Sequence, residues 1–148
     1  MFAEIAEFIE TRYRNARKIV EVGVGRKYEV AARLASNLTA ELILTDLNPN
    51  FFVGVRLGRN VKMIVDDIFN PDWKLYEGAD LIYAIRPNPE VQNQILEVAS
   101  RVGADVLLNV LSGEWIETNN KKMKHVLINY KGVTLHLFLN VSRKREET

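Results

Sequence analysis

Lys18-Ile19-Val20-Glu21-Val22-Gly23-Val24-Gly25 is the stretch on which the fold turns: a short apolar run interrupted by one acid, then two glycines separated by a single residue. A run of this kind, mostly β-branched and flanked by turn residues, reads as a buried strand. The glycines let the backbone bend sharply and approach a ligand with no Cβ in the way. Behind them Val30, Ala31, Leu34 and Leu38 recur at helical spacing. Strand, tight turn and helix together open a βαβ unit.

Working outward, four more short apolar runs follow: Leu42 to Leu44, Val61 to Val65, Leu81 to Ile85 and Val106 to Val110. With Ile19 to Val22 they are the expected strands of a parallel sheet joined by crossover helices. The helix after the fourth run carries the strongest signals. Asn88 stands at the N-cap and Pro89 at the first helical position, Val91, Ile95, Val98 and Val102 share a face, and Gly103 closes the end. Ahead of the first strand, Phe2, Ile5, Ile9 and Tyr13 predict an amphipathic packing helix over residues 2–16. After the fifth, Val126 to Tyr130 and Val133 to Val141 alternate around Lys131-Gly132, a turn too tight for a crossover, so a β-hairpin is expected. Ser112 to Lys124 is polar and reads as a loop, which leaves the helix after the fifth strand absent or reduced to one turn. The expected architecture is a three-layer α/β sandwich: one domain over residues 1–148, with a helix at 1–16, a core at 18–141 and a flexible tail at 142–148.

Bulk composition narrows the function classes. The 148 residues have a net charge of +1, too small a field to demand a polyanionic partner, so nucleic acid is neither implied nor excluded. The absence of cysteine removes disulfides, thiolate metal sites and a cysteine nucleophile. No apolar run approaches the roughly 18 residues of a membrane span, and Glu4, Glu7 and Glu10 are unlike a secretory leader, so a cytoplasmic protein is expected. No metal site is expected either: no histidine pair or carboxylate cluster has ligand spacing, and the adjacent Asp66 and Asp67 would project to opposite faces of a strand. The cations Arg12, Arg14, Arg17 and Lys18 read as a solvated helix end, with an anionic substrate as the competing use.

Asp46 closes the second run, Leu42-Ile43-Leu44-Thr45-Asp46, about 20 residues beyond the glycines, where a carboxylate can accept both hydrogens of a ribose diol. Two kinds of nucleotide cofactor suit such a pair. A dinucleotide wants a third small residue three positions after the second glycine, and Tyr28 stands there. Glu21 would also repel a pyrophosphate but suits an ammonium or sulfonium. The balance favours S-adenosylmethionine over a nicotinamide cofactor.

With these residues the chain resembles the Rossmann-like class of S-adenosylmethionine-dependent methyltransferases, in which an acid-x-Gly-x-Gly turn, a ribose-binding acid and an adenine-side acid follow the first three strands. The resemblance runs from Lys18 to Val141 and implies a mostly parallel sheet ending in an antiparallel hairpin. It further implies that Glu21, Gly23, Gly25 and Asp46 hold the cofactor, with Asp67 at the adenine amino group and Ile68 beside the ring. Asp66 competes with Asp67 for that role. More narrowly, Thr45-Asp46-Leu47-Asn48-Pro49, Asp66-Asp67-Ile68 and Ile85-Arg86-Pro87-Asn88-Pro89-Glu90 are similar to a family of short, uncharacterised archaeal proteins related to methyltransferases.

In that class the methyl acceptor meets the loop after the fourth strand, which implicates Arg86 and Asn88. Amino-methylating members often carry Asn or Asp, two prolines and an aromatic there, and this chain departs from that pattern. An arginine favours a carboxylate or phosphate on the acceptor, and equally serves as a strand-end charge paired with Glu90 or Asp67. Asn109, Ser112 and Glu114 follow the fifth strand and are weaker candidates for the same cleft. His125 and His136 read as structural strand residues, and Trp73 and Trp115 as core or rim. The expected activity is methyl transfer to an unknown acceptor. The alternative is a noncatalytic module that binds S-adenosylmethionine or S-adenosylhomocysteine as a sensor or partner subunit. A homodimer or partner protein closing the short side of the cleft is compatible with either.

Overall fold

The computed structural model describes residues 1–111 and 118–143; Ser112, Glu114 and Trp115 lie outside the described residues. In chain order the elements are α1 (Phe2–Arg12), β1 (Lys18–Val22), α2 (Glu29–Asn37), β2 (Glu41–Asp46), β3 (Val61–Val65), α3 (Trp73–Tyr76), β4 (Leu81–Ile85), α4 (Pro89–Val102), β5 (Asp105–Asn109), β6 (Met123–Tyr130) and β7 (Val133–Asn140). One sheet holds all seven strands in the order β3-β2-β1-β4-β5-β7-β6. β1 to β5 pair in parallel, and β7 turns antiparallel against β5 and β6.

Side-chain alternation sorts each strand between two helical layers. Val20, Val22, Ile82, Val106 and Phe138 face Ile95, Val98 and Ala99 of α4. Ile19, Leu42, Leu81, Leu107 and Leu137 face Ile5 and Ile9 of α1 and Leu34 of α2. Each fully buried Ile or Leu contributes about 1.5–3 kcal/mol, so both layers are held by the sheet they cover. α4 is bounded as its residues require: Asn88 Oδ1 accepts from Val91 N at 2.9 Å, and Gly103 ends the helix in the left-handed conformation at φ 82°. The hairpin turns through Lys131 at φ 49° and Gly132 at φ 85°, the two successive left-handed residues of a type I′ turn.

The structure departs from the periodicity in three places. α1 stops at Arg12, because Tyr13 leaves helical geometry and lays its hydroxyl on the buried Asp105 carboxylate at 2.7 Å. β6 starts at Met123, three residues before the alternation becomes legible, since Met123 pairs with Asn140. Between β2 and β3 there is only a 3-10 turn, Pro49–Phe52, and between β3 and β4 only the single turn of α3. The tail is anchored as far as Arg143, whose Nη1 pairs with Asp80 Oδ1 at 3.0 Å.

Candidate functional site

The strands leave β1 in one direction toward β2 and β3, and in the other toward β4 and β5. The crevice beyond the carboxyl ends of β1 and β4 is therefore the topological switch point, where open α/β sheets hold their ligands. The glycine turn lies on one side of it and Arg86 on the other. The cluster Arg12, Arg14, Arg17 and Lys18 leads into the amino end of β1, away from the crevice, where Lys18 Nζ donates to the carbonyls of Lys74 and Glu77.

Gly23 and Gly25 both adopt left-handed backbone, at φ 70° and 61°, and a Cβ added to either would meet nothing within 4 Å. The turn is tied to β2 on its inner side: Gly23 N and Val24 N donate to Thr45 O at 2.9 and 3.1 Å. Asp46 completes the tie, its Oδ2 accepting from Gly25 N at 2.8 Å and its Oδ1 from Asn48 N at 3.1 Å. A carboxylate has about four acceptor positions, so two remain for a ligand diol. Tyr28 packs with Val24 and Leu44, and its hydroxyl donates to the Phe51 carbonyl, so an aromatic fills the place of a dinucleotide fold's third glycine.

Glu21 is 1% exposed, sealed beneath the turn, with Oε1 accepting from Tyr83 OH at 2.6 Å. Burial pushes its carboxyl up to about 8; the Tyr83 bond opposes the rise, and the nearby charges of Glu29 and Asp46 add to it. The Tyr83 hydroxyl is itself raised well above its ordinary value by burial and by Glu21. A carboxyl within an otherwise apolar strand is the only sequence signal that such a partner exists.

At the end of β3, Asp66 and Asp67 part ways. Asp66 accepts from Asp72 N at 2.9 Å and from Tyr76 OH at 2.7 Å, a fixed bracing of the loop into α3. Burial, and then Asp66, raise the Tyr76 hydroxyl. Asp67 engages only Oδ1, to Phe69 N at 2.9 Å, and its Oδ2 has no partner among the described residues. Ile68 is 6% exposed and packs into the core with Val22 and Ile82.

Beyond β4, Arg86 is held at φ 53°, a left-handed conformation that costs a non-glycine residue about 1–2 kcal/mol. Its amide donates to Asn109 O at 2.6 Å, and among the described residues its guanidinium forms no ion pair, with Glu90 and Asp67 included. Asn88 spends its carbonyl on the cap of α4. Gly25 is thus bonded to Asp46 and Gly23 to the neighbouring Thr45, Asp67 stands at the adjoining strand end, Arg86 and Asn88 stand across β1, and Glu21 and Ile68 are buried. His125 and His136, far from the turn, hydrogen-bond each other at 2.9 Å. Among the described residues no group of three or more His, Cys, Asp or Glu side chains is arranged for a metal, and no helix is long and apolar enough to cross a membrane.

Comparison with known proteins bears on the family and the fold. Residues 2–140 match the family described as "Uncharacterised protein family (UPF0146)". A UPF0146 protein of Archaeoglobus fulgidus is 38% identical over 134 residues, 90% of this chain and 92% of the relative. Among solved structures, an RNA methyltransferase from Salinibacter ruber in complex with S-adenosyl-L-homocysteine superposes with TM-score 0.64 at 15% identity, covering 99% of this chain and 92% of that one. The methyltransferase domain of bacterial CtHen1 gives TM-score 0.69 at 10% identity, covering 93% and 96%. At such identities these structures establish a methyltransferase-like α/β fold.

Proposed function

Since the chain belongs to the archaeal UPF0146 family and carries the methyltransferase-like fold, we propose that it binds S-adenosylmethionine at the glycine turn and transfers the methyl group. The observation that carries this is the Asp46–Gly25 tie: it fixes a left-handed turn beside open space while leaving two acceptor positions on the carboxylate for a ribose diol. The residues fit the cofactor in most respects. Gly23 and Gly25 admit it, Asp46 takes the diol, and Asp67 rather than Asp66 takes the adenine amino group because its Oδ2 is uncommitted. Ile68 supports the floor under the ring. Glu21 lies beneath the turn, where burial favours its neutral form and a cation bound above would favour ionisation, so cofactor binding is linked to release of its proton.

The cofactor supplies an electrophilic methyl on a sulfonium. The protein's part is orientation and exclusion of water, which supply much of the acceleration for such a transfer. Arg86, held in strained backbone at the switch point, orients the acceptor, while Asn88 holds the start of α4 in place and offers its side-chain amide.

Calorimetry with S-adenosylmethionine, S-adenosylhomocysteine and NAD tests the cofactor; binding of NAD alone would overturn the assignment. Incubation with a labelled methyl donor and cell lysate then separates an enzyme from a noncatalytic module, since tight donor binding without label in any fraction favours the module.

A further inference from the structure

Lys27 and Arg86 belong to different loops, one leading from the glycine turn into α2 and the other leaving β4, and both reach the first two residues of the chain. Lys27 Nζ lies over the Phe2 ring, 5.9 Å from its centroid, and Arg86 Nη2 points at Met1 Sδ from 3.7 Å. Strand register accounts for the meeting. β1 and β4 are neighbours with Glu21 opposite Tyr83, so the glycine turn and Arg86 leave the sheet side by side, on strands roughly 4.8 Å apart. α1 packs on α2 and leads into the amino end of β1, which brings its first residues back to the carboxyl edge.

Neither cation is neutralised. Among the described residues no ion pair involves Lys27 or Arg86. The nearby acids are otherwise placed: Glu4 pairs with the Met1 ammonium at 2.8 Å, and Glu29 and Glu90 form no ion pair with either cation. A thioether is a weak acceptor and an aromatic face takes no conventional hydrogen bond. Both contacts therefore position the charged head and leave nearly all of its N–H donors unspent. Arg86 keeps its place at a cost, in left-handed backbone at φ 53°, although no acid of the protein rewards it. Strain of that kind is accounted for by a partner from outside the chain.

We propose that Lys27 and Arg86 together bind a phosphate or carboxylate group carried by the methyl acceptor, at the mouth of the crevice beside the glycine turn. Anion binding there needs no cofactor; that the anion belongs to a methyl acceptor rests on the methyl-transfer function proposed above. The guanidinium fork takes two oxygens of either group, and the ammonium adds a point charge from the other side. An oxyanion held by both is a poor nucleophile, so it is the handle, and another atom of the same molecule is methylated. That atom's electron pair forms the bond to the methyl carbon, the carbon–sulfur pair stays on sulfur as S-adenosylhomocysteine, and the displaced proton passes to solvent.

Phenyl phosphate, benzoate and uncharged benzyl alcohol serve as probes in protein-observed NMR titrations, with and without S-adenosylhomocysteine. At least one of the two anions is expected to shift the signals of Phe2, Lys27 and Arg86, with benzyl alcohol binding about tenfold more weakly; the tighter anion identifies the group. Lys27→Gln and Arg86→Gln each remove one charge from an exposed side chain and should weaken that anion about tenfold, Arg86→Lys should recover part of the loss, and Lys124→Gln, on the far strand β6, should change nothing. Unchanged binding in both glutamine variants, an equal loss in Lys124→Gln, or equal binding of benzyl alcohol would overturn the proposal. So would displacement of S-adenosylhomocysteine by the anion, which would give these cations to the cofactor's own carboxylate. If an anion binds and S-adenosylhomocysteine does not, the anion site stands and methyl transfer falls; the reverse result removes the anion site alone.

Discussion

Replacing Glu21 by Gln should change how stability depends on pH more than it changes stability itself. In the unfolded chain the carboxyl releases its proton near 4.5, and in the fold, sealed against Tyr83, only near about 8. Between those values the folded protein holds one proton more than the unfolded one. The unfolding free energy therefore falls as pH rises, by about 1.4 kcal/mol per pH unit. Stability associated with the protonated carboxyl is complete below 4.5 and is lost through about 8, a total of roughly 5 kcal/mol. Against a typical total of about 5–15 kcal/mol this is large. Glutamine keeps an oxygen to accept from Tyr83 OH and cannot ionise. Urea denaturation at pH 5 to 9, followed by circular dichroism, should give similar midpoints for the two proteins at the acid end and a progressively more stable Glu21→Gln at the alkaline end. Every other titrating group is common to both, so the difference curve isolates Glu21. Parallel curves across that range would show that the carboxyl is solvated or paired in a way the structure does not hold, and the reasoning would be refuted.

Asp46→Ala should weaken S-adenosylhomocysteine binding by about 1.5–3 kcal/mol in calorimetry. Asp46→Asn should rescue little of it, since one amide nitrogen would face either Gly25 N or Asn48 N. For Gly25→Ala, thermal or urea melts should register only about 1–2 kcal/mol for the left-handed backbone, because the new methyl meets nothing; affinity should fall far more if, as proposed, the cofactor lies in that space. Asp66→Asn is expected to lower the melting temperature by disturbing its bonds to Tyr76 and Asp72 while sparing affinity, and Asp67→Asn to do the opposite; the reverse pattern would reassign the adenine contact. Asn88→Ala should cost about 0.5–2 kcal/mol in denaturant unfolding through loss of the α4 cap.

The sequence by itself determined the layers and the turn. Apolar runs of strand length, the 3.6 spacing of Val91, Ile95, Val98 and Val102 between Asn88 and Gly103, and the Lys131-Gly132 turn are local signals, and local signals survive without a fold around them. Gly23, Gly25 and Asp46 were legible for the same reason: a tight turn needs glycine at the bend, and a strand end needs little context. Partnership was what only the tertiary structure decided. Glu21 looked like a group facing a ligand, yet strand pairing sets it opposite Tyr83 in the interior. Asp66 and Asp67 are indistinguishable as neighbours until Tyr76, ten residues on, claims one of them. His125 and His136 come from different strands, and only the pairing of β6 with β7 brings their rings together. Periodicity reports which face a side chain takes, whereas hydrogen bonds and cavities depend on which strand lies alongside, and that is fixed by packing between segments distant in the chain.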